Sequence, residues 1–249
     1  MNSQQQRKLV VVTGGTRGIG RGIVERLSHA GYDMVFTYAN SEDAAQAMVK
    51  DADAVGRRMH GYRCDARSNE DVDAFVSKVL GQHGRPYALI NNVGITHDAI
   101  LVNMPPQSWF DVIDSNINSV YRMTHRLLPP MLESGDGCVI QISSVSGLRG
   151  NRGQTNYSAT KSALLGFTRA LSTEVARFNI RVNAIAPGLI ATEMVEQMPA
   201  ARQQAMAKSI PLRRIGSADD VGAAAEFLLS AGASYITGQT IVVDGGMTA

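Results

Sequence analysis

Tyr157 and Lys161 stand four positions apart in the stretch GQTNYSATKSALLGF (153–167), with only Ser158, Ala159 and Thr160 between them. On an α-helix that step advances about 6 Å and returns to nearly the same face, so a phenol and an ammonium can share one site. At about 4 Å and an effective dielectric near 20, the ammonium favours a phenolate by about 4 kcal/mol, or about three pKa units. Such a partner would carry a tyrosine from about 10 toward neutrality, where it can serve as acid or base. Ser144 lies 13 residues before Tyr157, just past the apolar run CVIQIS (138–143). A hydroxyl there can donate to a substrate carbonyl oxygen. Asn116 falls in the middle of the helical stretch DVIDSNINSVYRM, an unfavourable place unless its side chain or a distorted backbone has a task.

These residues need a frame that brings them to one edge. Short β-branched runs recur at 8–13, 33–38, 59–64, 87–91, 138–143, 181–186 and 240–244, separated by stretches with helical spacing such as Ile19, Ile23, Val24 and Leu27. Strands apolar on both faces belong to a parallel sheet covered by helices. The rhythm therefore predicts an α/β, single-domain Rossmann fold over 1–249, a seven-stranded parallel sheet flanked by helices on both faces. The polar start NSQQQ is expected to fray, and no repeat or linker divides the chain.

Directly after the first apolar run comes TGGTRGIGRGIVERL, in which Thr13, Gly14, Gly18 and Gly20 have the spacing T-G-x-x-x-G-x-G. Glycines between a strand and a helix allow a tight turn that presents the positive helix end to a pyrophosphate. An acid at the end of the second strand would accept from a ribose 2′-hydroxyl, but Tyr38, Ala39 and Asn40 occupy that place. Asp33 reads as a turn residue ahead of the strand. Arg17 can offer a charge-assisted fork to a 2′-phosphate, which favours NADP(H); as a solvated loop charge it would leave either cofactor acceptable.

Composition excludes several classes. With 44% hydrophobic and 18% charged residues and a net charge of +2, the chain reads as a soluble globular protein, not a nucleic-acid binder. The only apolar run near the start is four residues long, after Arg7 and Lys8, so a cytoplasmic protein with no membrane association is expected. Cys64 and Cys138 have no metal or disulfide spacing and read as buried structural thiols. The five histidines show no metal spacing either, and no metal is expected.

Taken in order and spacing, the glycine turn, the N-N-x-G of Asn91 to Gly94, Ser144, the Tyr157/Lys161 pair and the Pro187–Gly188 step resemble the short-chain dehydrogenase/reductase family across Arg7 to Met247. Within it the chain is most similar to β-ketoacyl-(acyl-carrier-protein) reductases and acetoacetyl-CoA reductases, on the segments NNVGITHDAILVNM, RVNAIAPGLIATEM, PLRRIGSADDV and YITGQTIVVDGG. The resemblance implies that Tyr157 protonates the carbonyl oxygen and that Ser144 orients it. Lys161 tunes Tyr157 and holds the nicotinamide ribose, and Asn116 holds a water that resupplies protons. It places Gly14, Thr16, Arg17, Gly18, Ile19, Gly20, Tyr38, Asp65, Asn92 and Gly94 along the dinucleotide, with Asp65 at the adenine and Asn92 and Gly94 at the adenosine. Pro187, Gly188, Ile190 and Thr192 would fix the nicotinamide side. Asp65 and Thr192 could instead cap the elements that follow them.

The resemblance also implies a homotetramer joined through the helix of Tyr157, where Phe167, Leu164 and Leu165 fit an interface or a core equally, and through the last strand near Val242 to Gly246. A segment at about 190–212 would cover substrate, with Met194, Met198 and Met206 as an adaptable apolar surface. Val93 replaces a usual alanine. Glu133 and Asp136 replace basic residues with which relatives dock a carrier protein, while Arg122, Arg126, Arg169 and Arg177 could form another basic rim. The implied activity is NADPH-dependent reduction of a 3-oxoacyl thioester on acyl-carrier protein or coenzyme A. Reduction of another ketone is the alternative, and a silent NADP-binding regulatory subunit a third reading that the intact Ser, Tyr and Lys argue against.

Overall fold

The computed structural model describes residues 7–196 and 198–249, with the backbone alone at Met194 and Glu196. The polar start at 2–6 and the side chain of Met194, read above as frayed and as part of an apolar cover, lie outside the described residues.

Seven strands form one sheet: β1 (Leu9–Val12), β2 (Asp33–Tyr38), β3 (Met59–Arg63), β4 (Ala88–Asn91), β5 (Gly137–Ile142), β6 (Ile180–Pro187) and β7 (Thr240–Val243). Their order is β3-β2-β1-β4-β5-β6-β7 and every ladder is parallel. The direction of winding reverses between β1 and β4, so a crevice opens at the carboxyl ends of those two strands. Residues of β1, β4 and β5 are buried throughout, as strands covered on both faces must be. Asp33 opens β2 and is not a turn residue; it lies at the far end from the crevice, beside Arg7 at 4.0 Å and Arg58 at 3.2 Å.

Helices α1 (Gly18–His29), α2 (Glu42–Ala54) and α10 (Ala218–Leu229) pack on one face, around Phe36, Ile90 and Ile140. Helices α3 (Asn69–Gln82), α5 (Ser119–Ser134) and α7 (Thr155–Val175) pack on the other, around Val35, Leu89 and Val139. Local signals set the ends. Ser217 and Asp220 form a reciprocal capping box that starts α10, and Gly135, at φ 65°, ends α5 in the left-handed region. Short helices α6 (Ser146–Arg149), α8 (Glu193–Glu196) and α9 (Ala200–Lys208) lie at the carboxyl edge.

The helix expected around Asn116 is interrupted. A helix α4 (Pro106–Ile113) runs into a π-helical turn, Asp114–Asn118, before α5 resumes. Such widened turns occur where a side chain must be displaced from regular helical register. Both thiols are free and buried; burial pushes Cys64 up to about 12 and Cys138 up to about 11, which leaves them unreactive. Among the described residues no helix is long and apolar enough to cross a membrane.

Candidate active site

The glycine turn and β4 are tied together at the switch point. Thr13 Oγ1 accepts from the backbone N–H of Asn92 at 3.0 Å and of Val93 at 3.2 Å. The Asn92 amide donates to the carbonyls of Thr13 and Gly14, both at 3.0 Å. Asn92 thus holds the turn with the amide group that the sequence suggested for the adenosine. A Cβ on Gly20 would sit 2.0 Å from the Gly14 oxygen and 2.5 Å from Asn92 Nδ2, so no side chain fits there. Gly20→Ala is expected to cost about 1–3 kcal/mol through overpacking, lowering Tm by about 2–12 °C, and to weaken dinucleotide binding. An unchanged melting temperature and dinucleotide Kd would show that the turn relaxes freely.

The turn has the features of a phosphate cradle. Gly14 and Gly18 have φ of 68° and 51°, and α1 starts at Gly18 with no acidic residue in its first turn. Ile19 packs beneath it on the core, Thr16 is buried, and Thr192 closes over Gly18, its Cγ2 3.4 Å from where a Cβ would stand. Arg17 is exposed and its guanidinium has no partner among the described residues. A pyrophosphate at this helix end would meet free N–H groups and no opposing carboxylate, so the residues fit a dinucleotide.

Toward the adenine side, Tyr38 ends β2, and burial followed by the charge of Glu42 raises its phenol. The Asp65 carboxylate accepts from the Arg67 backbone N–H at 2.9 Å and from its guanidinium at 3.0 and 2.8 Å; Arg67 thereby holds that carboxyl below its usual range. Asp65 therefore shapes the turn into α3, whose cap is the Ser68 hydroxyl accepting from Asp71 N–H.

At the other side of the crevice the Ser144 hydroxyl lies close enough to the Tyr157 phenol to favour its ionised form. Ser144 Oγ is steadied by the Ser146 N–H at 3.1 Å. Lys161 is 3% exposed, and its Nζ donates to the Ile142 carbonyl at 2.7 Å and lies 5.6 Å from the Tyr157 ring centre. The pairing expected from spacing is present, but its electrostatics differ. Burial pushes the Tyr157 phenol up, Ser144 opposes the rise and the charge of Asp98 adds to it; burial also lowers Lys161 to about 8. Lys161 turns its proton to a strand carbonyl, so in the protein alone desolvation wins over the ammonium's pull on the phenol.

Asn116 is fully buried by the π-helical turn. Its Oδ1 accepts from Ile95 N–H at 2.8 Å, and its Nδ2 donates to the Ile95 carbonyl and to Thr160 Oγ1, each at 3.0 Å. Gly94 makes this possible. A Cβ there would stand 3.3 Å from both Asn116 Oδ1 and Lys161 Nζ, so the glycine serves these two side chains. Val93 fills the space over Gly14 instead, with Cγ2 3.1 Å from the missing Cβ.

Helix α7 is stitched to the sheet around the lysine. Ser143 Oγ donates to the Lys161 carbonyl at 2.7 Å, and Ser162 Oγ to the Gly147 carbonyl at 2.5 Å. Pro187 ends β6 and accepts from Val145 N–H at 3.0 Å; Gly188 N–H donates to Val243 at 2.9 Å. Ile190 is buried and bridges Gly216. The segment beyond it, expected to cover substrate, is lightly seated at α9, which buries no residue, and Met198 and Met206 are half-buried.

Three positioning residues had no signal in the spacing. Gln154 Nε2 donates to the Asp98 carboxylate at 3.0 and 3.2 Å while its oxygen accepts from Ser146 and Asn151. Asn156 accepts from Tyr157 N–H at 2.7 Å and donates to the His97 carbonyl at 3.0 Å. Thr160, which read only as small, donates to the Tyr157 carbonyl at 2.8 Å.

Two neighbouring hydroxyls at the mouth of a dinucleotide cradle are the equipment of an oxidoreductase acting on a carbonyl or an alcohol. Residues 14–248 match the family model described as Enoyl-(Acyl carrier protein) reductase. The chain is 40% identical over 247 residues to the 3-oxoacyl-(acyl-carrier-protein) reductase FabG of Chlamydia muridarum, covering 99% of this chain and 100% of that protein. It is 42% identical over 242 residues to the FabG of Pseudomonas aeruginosa, covering 97% and 98%. With the FabG of Staphylococcus aureus it shares 40% identity over 240 residues, covering 96% and 98%. The chain belongs to the short-chain dehydrogenase/reductase family, whose reactions use a nicotinamide cofactor.

Proposed function

We propose that the protein reduces a 3-oxoacyl thioester, carried on an acyl-carrier protein or coenzyme A, to the 3-hydroxyacyl thioester with NADPH. The observation that carries this reading is the Ser144 hydroxyl set close enough to the Tyr157 phenol to bias its ionisation, beside the buried Lys161. Two neighbouring hydroxyls can both aim at one ketone oxygen. Ser144 donates to that oxygen and polarises it, and Tyr157 delivers the proton to it. Lys161 holds the nicotinamide ribose and keeps a positive charge near the phenol as it becomes a phenolate. Asn116 Oδ1 accepts one N–H, from Ile95, and keeps a second lone pair that would hold the water that returns the proton. When bound, NADPH supplies the hydride to the carbonyl carbon.

Gly14, Thr16, Arg17, Gly18, Ile19 and Gly20 would hold the pyrophosphate end, with Tyr38, Asp65, Asn92 and Gly94 forming the adenosine side. Pro187, Gly188, Ile190 and Thr192 would back the nicotinamide. The acid-free end of β2 and Arg17, without a partner among the described residues, support NADP(H). The thioester is supported by the full-length likeness to 3-oxoacyl-(acyl-carrier-protein) reductases.

Carrier docking, if it uses a basic rim, falls to Arg169 and Arg177. Arg122 is tied to Asp114 at 2.9 Å and Arg126 to Asp73, while Glu133 and Asp136 are themselves paired with Arg85 and Lys8. A homotetramer is supported by exposed Val242 on β7 and by exposed Phe227 and Tyr235 nearby in sequence. Leu164 and Leu165, 1% and 7% exposed, are buried within the subunit, and Phe167 is half-buried against the subunit's own core.

Loss of NADPH absorbance with acetoacetyl-CoA and with an acetoacetyl carrier protein tests the substrate class. Turnover of either thioester well above that of simple cyclic ketones is expected. Turnover confined to ketones without a thioester would overturn the assignment.

A further inference from the structure

The carboxyl ends of β2 and β3 lie side by side, with Tyr38 and Arg63 as partners in the parallel ladder. Arg63 is exposed, and its Nε donates to the Ala39 carbonyl at 3.3 Å, which folds the guanidinium back over the chain leaving β2. It stands close enough to Tyr38 for its charge to favour the ionised phenol. Among the described residues both of its terminal nitrogens lack a partner, and no carboxylate pairs with it; Arg58, Arg67, Arg122 and Arg126 each have one. Ser41, which precedes α2, caps no N–H with its hydroxyl. The nearby negative charges are Glu42, which also accepts from the Gln46 amide at 3.4 Å, and Asp43, both in the first turn of α2.

Ala39 stands where an acid would read a ribose 2′-hydroxyl. A guanidinium with two free nitrogens over that spot has the fork geometry of a phosphate ligand. We propose that Arg63 binds the 2′-phosphate of NADP(H) together with Arg17, and so makes β3 a determinant of cofactor choice. This rests on the NADP(H) reading above. The dianion would then lie between one cation from the glycine turn and one from the third strand, which also offsets Glu42 and Asp43.

The test uses fragments without a nicotinamide, so that binding is read apart from turnover. Calorimetric titration of the full chain with adenosine 2′,5′-bisphosphate and with 5′-AMP is compared for the natural protein, Arg63→Gln and Arg63→Lys. Loss of a charge-assisted pair is expected to weaken the bisphosphate at least about tenfold in Arg63→Gln. 5′-AMP binding should stay unchanged, and Arg63→Lys should recover part of the loss. A natural preference for the bisphosphate that survives Arg63→Gln, or a loss shared equally by both fragments, overturns the role of Arg63 while leaving NADP(H) in place. No preference in the natural protein overturns the NADP(H) reading itself and the inference with it. Because Arg63 is exposed, matching melting curves for the variants are expected and confirm that folding is not what changed.

Discussion

Tyr157→Phe is expected to lower kcat for thioester reduction by about 10²–10⁴ while NADPH binding persists. The substitution removes one oxygen and leaves the ring packed in place. Ser144 still polarises the carbonyl, which is why some turnover should survive, but the phenol that hands over the proton is gone. Burial raises the phenol, so at neutral pH Tyr157 is protonated and ready as a donor. Reduction is then expected to slow as pH rises through about 8, where Lys161 loses its charge. Single-turnover rates at saturating NADPH, taken across pH, read both effects. Unimpaired chemistry in the variant would remove the phenol from proton delivery.

Lys161→Met is expected to abolish most activity and yet make the protein more stable at neutral pH. In the unfolded chain this lysine titrates near 10.5, and in the fold at about 8. Below pH 8 the folded state keeps a buried ammonium that the unfolded chain holds in water. Stability therefore rises as pH climbs from about 8 to 10.5, because the unfolded chain binds the extra proton there. The gap corresponds to about 3 kcal/mol at pH 7. Methionine relieves it and leaves the Ile142 carbonyl without its partner, which costs about 1–2 kcal/mol. The net gain of about 1–2 kcal/mol should raise Tm by about 2–8 °C. A lysine serving only as a strut would give the opposite sign, a lower melting temperature, so calorimetry at pH 7 and pH 10 separates the cases.

Much of the frame could be read from residue type alone. Runs such as LVVV and CVIQI bury on both faces, and only a covered parallel sheet accepts them. The spacing of Ser144, Tyr157 and Lys161 places them at one edge for the same reason, since strand ends and helix starts alternate there. Side chains whose partners are backbone carbonyls could not be seen this way. Asn92 spends its amide on Thr13 and Gly14, and Asn156 braces the tyrosine helix through the His97 carbonyl and the Tyr157 N–H, groups that every residue carries. Spacing also shows that two residues share a face without showing where a flexible side chain turns. Lys161 bends to Ile142, and burial, which depends on the whole fold, then decides the direction of both shifts. By type Leu164 and Leu165 suit an interface and a core equally, and only the fold shows that both are buried within the subunit.

The hydrogen bonds that join Ser143 and Gly147 to the backbone and side chain of residues 161 and 162 have a further effect. With the ammonium bond to Ile142, they fasten the acid-bearing helix to the serine-bearing strand within two turns of the reacting groups. Thermal motion then carries donor and orienting hydroxyl as one rigid body, and their separation varies less than either does relative to the solvent-facing rim. Loops around the opening can consequently diverge to admit longer, branched or cyclic substrates without retuning the proton step, which makes substrate range the easier property of this protein to redesign.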